Sequence, residues 1–121
     1  MKTLLACALT AMYVFGACLE AKAEASQDFT LHNALGVAIN HVFVSQRGKD
    51  LWDRDVMSGE VLDAGDFTKI TFNGYDDTVC RFDLKLVTQD DRSWVLKDID
   101  LCALNDLTFK RKGDQVVYSR Q

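Results

Sequence analysis

Two cysteines that bracket a pair of apolar runs are the strongest constraint in this sequence. Residues 78–102 read TVCRFDLKLVTQDDRSWVLKDIDLC, with a polar break at residues 89–92 between the two runs. Apolar and charged residues alternate in the first run, which is typical of a half-buried antiparallel strand. The stretch therefore predicts a β-hairpin whose ends are tied by a disulfide between Cys80 and Cys102.

The N-terminus has the features of an export signal. Lys2 precedes an uncharged segment from Leu4 to Leu19 that is sixteen residues long. This is shorter than the roughly 20 residues of a membrane-spanning helix, and small residues follow at the spacing that signal peptidase requires. We expect cleavage after Ala23, so that residues 1–23 are a signal peptide and residues 24–121 an exported domain without stable membrane insertion.

Two alternatives compete with cleavage of this segment. One is an uncleaved membrane anchor, and the other is a lipoprotein modified at Cys18, although Phe15 stands where a lipobox has a leucine-like residue. Twin arginines are missing from the segment, which indicates general (Sec-type) secretion rather than the Tat route. The expected location is therefore periplasmic or secreted.

Cleavage would change both the cysteine count and the charge. Cys80 and Cys102 would be the two remaining cysteines, and an even number in an exported protein indicates a disulfide. A redox pair or metal site is the alternative, but there is no Cys-x-x-Cys spacing. Loss of two lysines and one glutamate leaves 12 basic and 17 acidic residues, a net charge of −5. This acidity argues against a nucleic-acid partner.

Short apolar runs separated by Gly- and Asx-containing turns recur along the rest of the chain. They include residues 29–33, 37–45, 67–72, 107–109 and 115–119. With the central hairpin, and without a convincing long helix, they amount to about seven strands. The prediction is an all-β domain that forms a single antiparallel β-sandwich or small barrel.

The hairpin pattern also predicts a register. One face is shared by Cys80, Phe82, Leu84 and Leu86, and the opposite face, which a half-buried strand turns to solvent, by Arg81, Asp83 and Lys85. A two-residue loop at residues 90–91 predicts three cross-strand pairs: Phe82 with Ile99, Leu86 with Val95, and Arg81 with Asp100. This register turns Cys102 away from Cys80, so we expect an irregular backbone at residues 100–102.

Residues 46–59 are the least strand-like segment and form a candidate functional loop with a short helical turn. Trp52 in this loop and Tyr75 in the next one are candidate binding aromatics, and the alternative for Trp52 is a cap on the core. The segment also holds three candidate calcium ligands: Asp50, Asp53 and Asp55. Their spacing is not that of an EF-hand, so a solvated loop is the preferred interpretation and no metal is predicted.

No established catalytic motif is present, so no catalytic residue and no cofactor are predicted. We expect a non-enzymatic exported domain that binds a protein or cell-envelope component, or more narrowly an inhibitor of a hydrolase. The alternative is a small periplasmic hydrolase or metal-dependent enzyme that uses His32 or His41 with Asp residues. That alternative requires a histidine within hydrogen-bond reach of a carboxylate.

A family resemblance covers nearly all of the exported domain. The segments DFTLHNALGVAINHVFVS and TFNGYDDTVCRFDLKLV, with Trp94 followed by the DLC of residues 100–102, resemble a family of small exported uncharacterised bacterial proteins. Some members are named Tat-pathway signal protein or argininosuccinate lyase. The lyase name does not transfer, because those enzymes are long helical tetramers with a Gly-Ser-Ser signature loop. Ser45-Gln46 and Trp52-Asp53 depart from the Ser-Pro and Trp-Gly that members often show.

Overall fold

Seven β-strands in two sheets make up about half of residues 24–121, the part of the chain that the computed structural model describes. The expected signal peptide, residues 1–23, lies outside the described residues. The strands are β1 (Phe29–Ala34), β2 (Ile39–Gln46), β3 (Phe67–Ile70), β4 (Arg81–Thr88), β5 (Ser93–Asp100), β6 (Asp106–Lys112) and β7 (Gln115–Arg120). The prediction of an all-β sandwich is confirmed.

One sheet has the strand order β3-β1-β6-β7 and the other has the order β2-β4-β5. Four of the five strand pairs are antiparallel, but β1 and β6 run parallel, with Leu31 beside Leu107. A parallel pair needs a long connection, and here the whole three-stranded sheet lies between the two strands in sequence. No ladder joins the two sheets within residues 24–121, so the fold is a sandwich rather than a closed barrel.

The core lies between the sheets and is built from the inward side of each alternating strand. Its largest fully buried apolar side chains come from both sheets and from the turn after β5: Phe29, Leu31, Ile39, Ile70, Phe82, Leu84, Leu86, Ile99, Leu101, Leu107 and Phe109. Burying a side chain of this size contributes roughly 1.5–3 kcal/mol to folding. In β4 the period-2 pattern of the sequence therefore identifies the core face correctly, whereas Val95 of β5 is 43 % exposed.

The register of the β4–β5 hairpin is partly as predicted. Arg81 pairs with Asp100 and Phe82 with Ile99, as expected, but Leu86 pairs with Trp94, so the predicted Val95 partner is wrong. The connection is longer than the predicted two-residue loop: the N–H of Thr88 donates to Arg92 O at 2.9 Å, so residues 89–91 form the turn, in which Asp91 has a left-handed φ of 61°. A bulge in β5, where Lys97 and Asp98 (φ 57°) lie opposite the single residue Asp83, then shifts the register back.

The expected disulfide is present. The sulfurs of Cys80 and Cys102 lie 2.12 Å apart and their Cα atoms 5.2 Å apart. After β5 the chain turns into a short 3₁₀ helix, Leu101–Ala103, and Asp100 Oδ1 accepts a hydrogen bond from Cys102 N at 3.1 Å. This turn places Cys102 beside Cys80. The irregular backbone expected at residues 100–102 is therefore confirmed.

Residues 46–59 contain turns and an isolated bridge but no helical turn, so that expectation is wrong. The segment runs back along β2 instead. The N–H of Asp53 donates to Val44 O at 2.9 Å, and that of Val56 donates to Val42 O at 2.8 Å. Part of the outer edge of β2 is thereby covered. Across residues 24–121 no helix has the length and apolar character needed to span a bilayer.

Candidate binding surface

Two adjoining grooves lie on the surface formed by residues 46–53 and 75–81. The aromatic groove, about 320 Å³, is lined by Leu51, Trp52 and Tyr75 together with Asp53. The cationic groove, about 450 Å³, is lined by the side chains of Arg47, Arg81 and Asp100 and by residues 78–80. Gln46 and Lys49 line both grooves. The structure thus brings Trp52 and Tyr75, the two binding candidates from the sequence, to one groove, and we call both grooves together the loop surface.

Asp83 anchors the loop that forms this surface. It lies on the outward side of the three-stranded sheet, yet it is only 1 % exposed, so the prediction of a solvent-facing Asp83 is wrong. The physical reason is that the loop covers it: the N–H of Gly48 donates to Asp83 Oδ2 at 3.1 Å. Beside it, the hydroxyl of buried Ser45 accepts from Leu51 N at 2.9 Å. Buried carboxylates require such donors.

The same carboxylate also fixes the bulge of β5. Asp83 Oδ1 accepts from the N–H of Asp98 at 2.8 Å, and Lys97 Nζ lies 3.7 Å from Oδ2. The bulge places the Asp98 carboxylate against the cationic groove, where it is 3.0 Å from Arg81 and 3.6 Å from Arg47. Asp83 is therefore a positioning residue for the loop and for the rim of the groove.

A hydrogen bond between two side chains joins the two segments of the loop surface. The hydroxyl of Tyr75 donates to Asp53 Oδ2 at 2.9 Å, and the Tyr75 ring packs edge-on against Phe82 with centroids 5.1 Å apart. Burial, followed by this hydrogen bond, raises the pKa of Tyr75 to about 12. The backbone N–H of Arg54 and then the Tyr75 hydroxyl lower the pKa of Asp53. Arg54 also donates to Asn73 Oδ1 at 2.9 Å.

The candidate calcium ligands do not converge. Asp53 is engaged with Tyr75, and Asp55 accepts from the backbone N–H groups of Val42 and Met57 through one oxygen. Among residues 24–121, the one set of three metal-ligand types with donor atoms within 4.8 Å of one another is Cys80, Asp100 and Cys102. A disulfide occupies both of those sulfurs. Asp50 therefore belongs to no group of three such ligands in the described part of the chain.

Each histidine has a carboxylate partner. His32 Nε2 lies 2.8 Å from Asp106 Oδ1, and His41 Nδ1 lies 2.9 Å from Asp55 Oδ2. The geometric requirement of the enzyme alternative is met to this extent. The two pairs belong to different sheets, and neither histidine lines the aromatic or the cationic groove. Within the described residues neither ring bonds to a hydroxyl or thiol, so no nucleophile is paired with a base.

Five further residues contribute to this surface and were not identified as binding candidates from the sequence, namely Arg47, Lys49, Leu51, Arg81 and Asp83. A signal for Asp83 was present, because an acidic residue between two core residues of a central strand needs an explanation. Nothing in the local pattern places Arg47 beside Arg81, since β2 and β4 pair only in the folded chain.

Comparison of the chain with family models finds no match, and comparison with curated proteins and with solved structures finds no significant match. The loop surface itself is therefore the basis on which a function is assigned.

Proposed function

We propose that this chain is an exported, non-enzymatic binding domain that holds a protein of the cell envelope on its loop surface. The observation that carries the proposal is the exposure of Leu51, 72 %, next to Trp52 and Tyr75 on a loop that is fastened at several points. Interfaces are dominated by a few aromatic and apolar anchors near their centre, with polar residues around them. The aromatic groove has that composition.

Preorganisation strengthens this proposal. The loop is tied to the sheet through Asp83 and Ser45 and to the neighbouring segment through Tyr75. A loop that is already ordered loses little conformational entropy on binding, so more of the contact energy appears as affinity. Burial of the Leu51 side chain by a partner would contribute roughly 1.5–3 kcal/mol.

Export is supported by the cross-link and by the N-terminal pattern. Disulfides persist in the periplasm and outside the cell, and they are rare in reducing compartments. The disulfide of Cys80 and Cys102 lies at the edge of the cationic groove, so it stabilises the hairpin that carries one wall of the loop surface. We propose a periplasmic or secreted bacterial protein that is cleaved after Ala23, which an intact mass under non-reducing conditions tests together with the cross-link.

The binding proposal is tested by affinity capture from envelope extract, with the oxidised mature protein as bait. We expect a partner that wild type retains and that Leu51→Ser and Trp52→Ala lose. The matched control is Val61→Ser, because Val61 is also an exposed aliphatic loop residue, at 54 %, and lines neither groove. Thermal melts must show that all variants are folded. Identical capture by wild type, Leu51→Ser and Trp52→Ala would refute the proposal.

A hydrolase inhibitor is the second candidate, and the shape of the loop supports it. Gly48 and Asp50 have positive φ values of 77° and 54°, and the loop between two anchors presents Leu51 outward. Such a loop suits insertion into an active-site cleft. Inhibition of a captured hydrolase by wild type, relieved by Leu51→Ser, is the result expected of an inhibitor; unchanged hydrolase activity excludes it.

A further inference from the structure

We infer that the partner's segment on the loop surface is an extended acidic stretch of polypeptide that also carries an apolar side chain. The apolar side chain would occupy the aromatic groove, and neighbouring carboxylates would lie against the cationic groove. This inference rests on the proposed function and names the chemistry of the partner.

The cationic groove differs in charge from the rest of the domain. Residues 24–121 contain 12 basic and 17 acidic residues, yet the cationic groove has three basic residues, Arg47, Lys49 and Arg81, against the two carboxylates of Asp98 and Asp100, a formal excess of one positive charge. A local positive surface on an acidic protein attracts anionic partners and orients their approach. The sign of this groove is therefore opposite to that of the molecule that carries it.

The groups in the cationic groove keep hydrogen-bonding capacity. Asp98 uses one oxygen for both Arg47 and Arg81, so most of the N–H donors of the two guanidinium groups stay open to a partner. Lys49 forms no ion pair with any residue that the structure describes, and it lines both grooves. Carboxylates are the natural acceptors for these donors.

The shape of the surface argues for an extended chain. Both grooves are open to solvent, whereas small-molecule sites enclose most of their ligand. The grooves meet at Gln46 and Lys49, so one continuous segment can cross from one to the other. In an extended polypeptide, alternate side chains repeat on one side at about 7 Å, which suits apolar and acidic residues placed in sequence.

The groups in the aromatic groove favour a polypeptide over a glycan. The Tyr75 hydroxyl is already committed to Asp53, and Lys85 Nζ stands 5.9 Å from the centroid of Trp52 on one side of that ring. Exposed Leu51 adds an aliphatic surface that suits an apolar side chain better than the hydroxyl groups of a sugar. The net charge of −5 carried by residues 24–121 also opposes approach to an extended anionic lipid surface.

The test is selection from a displayed library of random 12-residue peptides, with the oxidised mature protein as target. We expect enriched peptides to hold more Asp and Glu than Lys and Arg, beside at least one Leu, Phe or Trp. Their affinity should fall about tenfold with Lys49→Glu and should weaken with added salt. Lys112→Glu is the matched control, because it changes the net charge equally on an exposed residue of β6.

The results of this selection distinguish a failure of the acidic chemistry from a failure of the binding function. Enriched peptides that are neutral or basic, or an equal loss of affinity with Lys112→Glu, overturn the inference. If such peptides still depend on Trp52, the proposed binding function stands and only the acidic chemistry fails. Peptide binding that is insensitive to both Trp52→Ala and Lys49→Glu overturns both. Polygalacturonate and phosphatidylglycerol vesicles serve as further probes, and tighter, Lys49-dependent binding of either one excludes a polypeptide partner.

Discussion

Replacement of Asp83 by alanine should loosen the loop surface and destabilise the whole domain. The substitution removes two hydrogen bonds from backbone N–H groups to a carboxylate, those of Gly48 at 3.1 Å and Asp98 at 2.8 Å. Hydrogen bonds to charged groups contribute about 1.5–3 kcal/mol each, and we use the lower value because both donors lie on exposed residues that water can reach. The contact with Lys97 adds little, since that side chain is 64 % exposed.

The expected loss is therefore about 3 kcal/mol in the free energy of unfolding. For a domain of this size it corresponds to a decrease of about 12–24 °C in the melting temperature. Urea unfolding followed by circular dichroism, with the disulfide intact, measures the loss. Asp77→Ala is the control, because no hydrogen bond to the Asp77 carboxylate is found within residues 24–121 and the residue is exposed.

A local measurement separates the role of Asp83 in the loop from a general effect on stability. Amide hydrogen exchange in Asp83→Ala should rise most at Gly48, Leu51 and Asp98, beyond the increase in the core strands. An unfolding free energy within 0.5 kcal/mol of wild type, about the scatter of surface substitutions, would show that this reasoning is wrong. An equal rise in amide hydrogen exchange throughout the domain would show that Asp83 does not anchor the loop specifically. The predicted loss of stability would still stand.

Three further predictions concern other contacts. Replacing Cys80 and Cys102 by serine should cost about 3 kcal/mol in urea unfolding, because the bridge closes a loop with a sequence separation of 22; an unchanged midpoint refutes this. Asn33→Ala should cost about 3 kcal/mol, since its amide donates to three backbone carbonyls and accepts from Leu35 N; Asn33→Asp should fail to restore stability because it lacks the donors. Asp53→Asn should lower the Tyr75 pKa from about 12, as read by ultraviolet titration. The raised pKa stabilises the fold fully below the unfolded value of roughly 10, and this contribution is lost as pH rises towards the folded value.

Local sequence determined the elements of this protein well. Alternation in β4 identified the core face of Phe82, Leu84 and Leu86, because side chains on successive strand residues point to opposite sides. The disulfide of the hairpin was predicted because Cys80 and Cys102 are the two cysteines that follow residue 23 in the sequence. Trp52 and Tyr75 were found as aromatic residues in segments without strand character. Each of these inferences depends on residues that are close together in the chain.

Tertiary structure decided the register and the site. The bulge at Asp98 depends on the Asp83 carboxylate across the hairpin, so a count of loop residues misplaced Leu86. Asp83 itself is buried only because a loop 35 residues away in sequence covers the outward side of its strand. Alternation states which side of a strand a residue occupies, but burial depends on which distant segment packs over that side. For the same reason the cationic groove, which joins Arg47 and Arg81 from two strands, exists only in the folded chain.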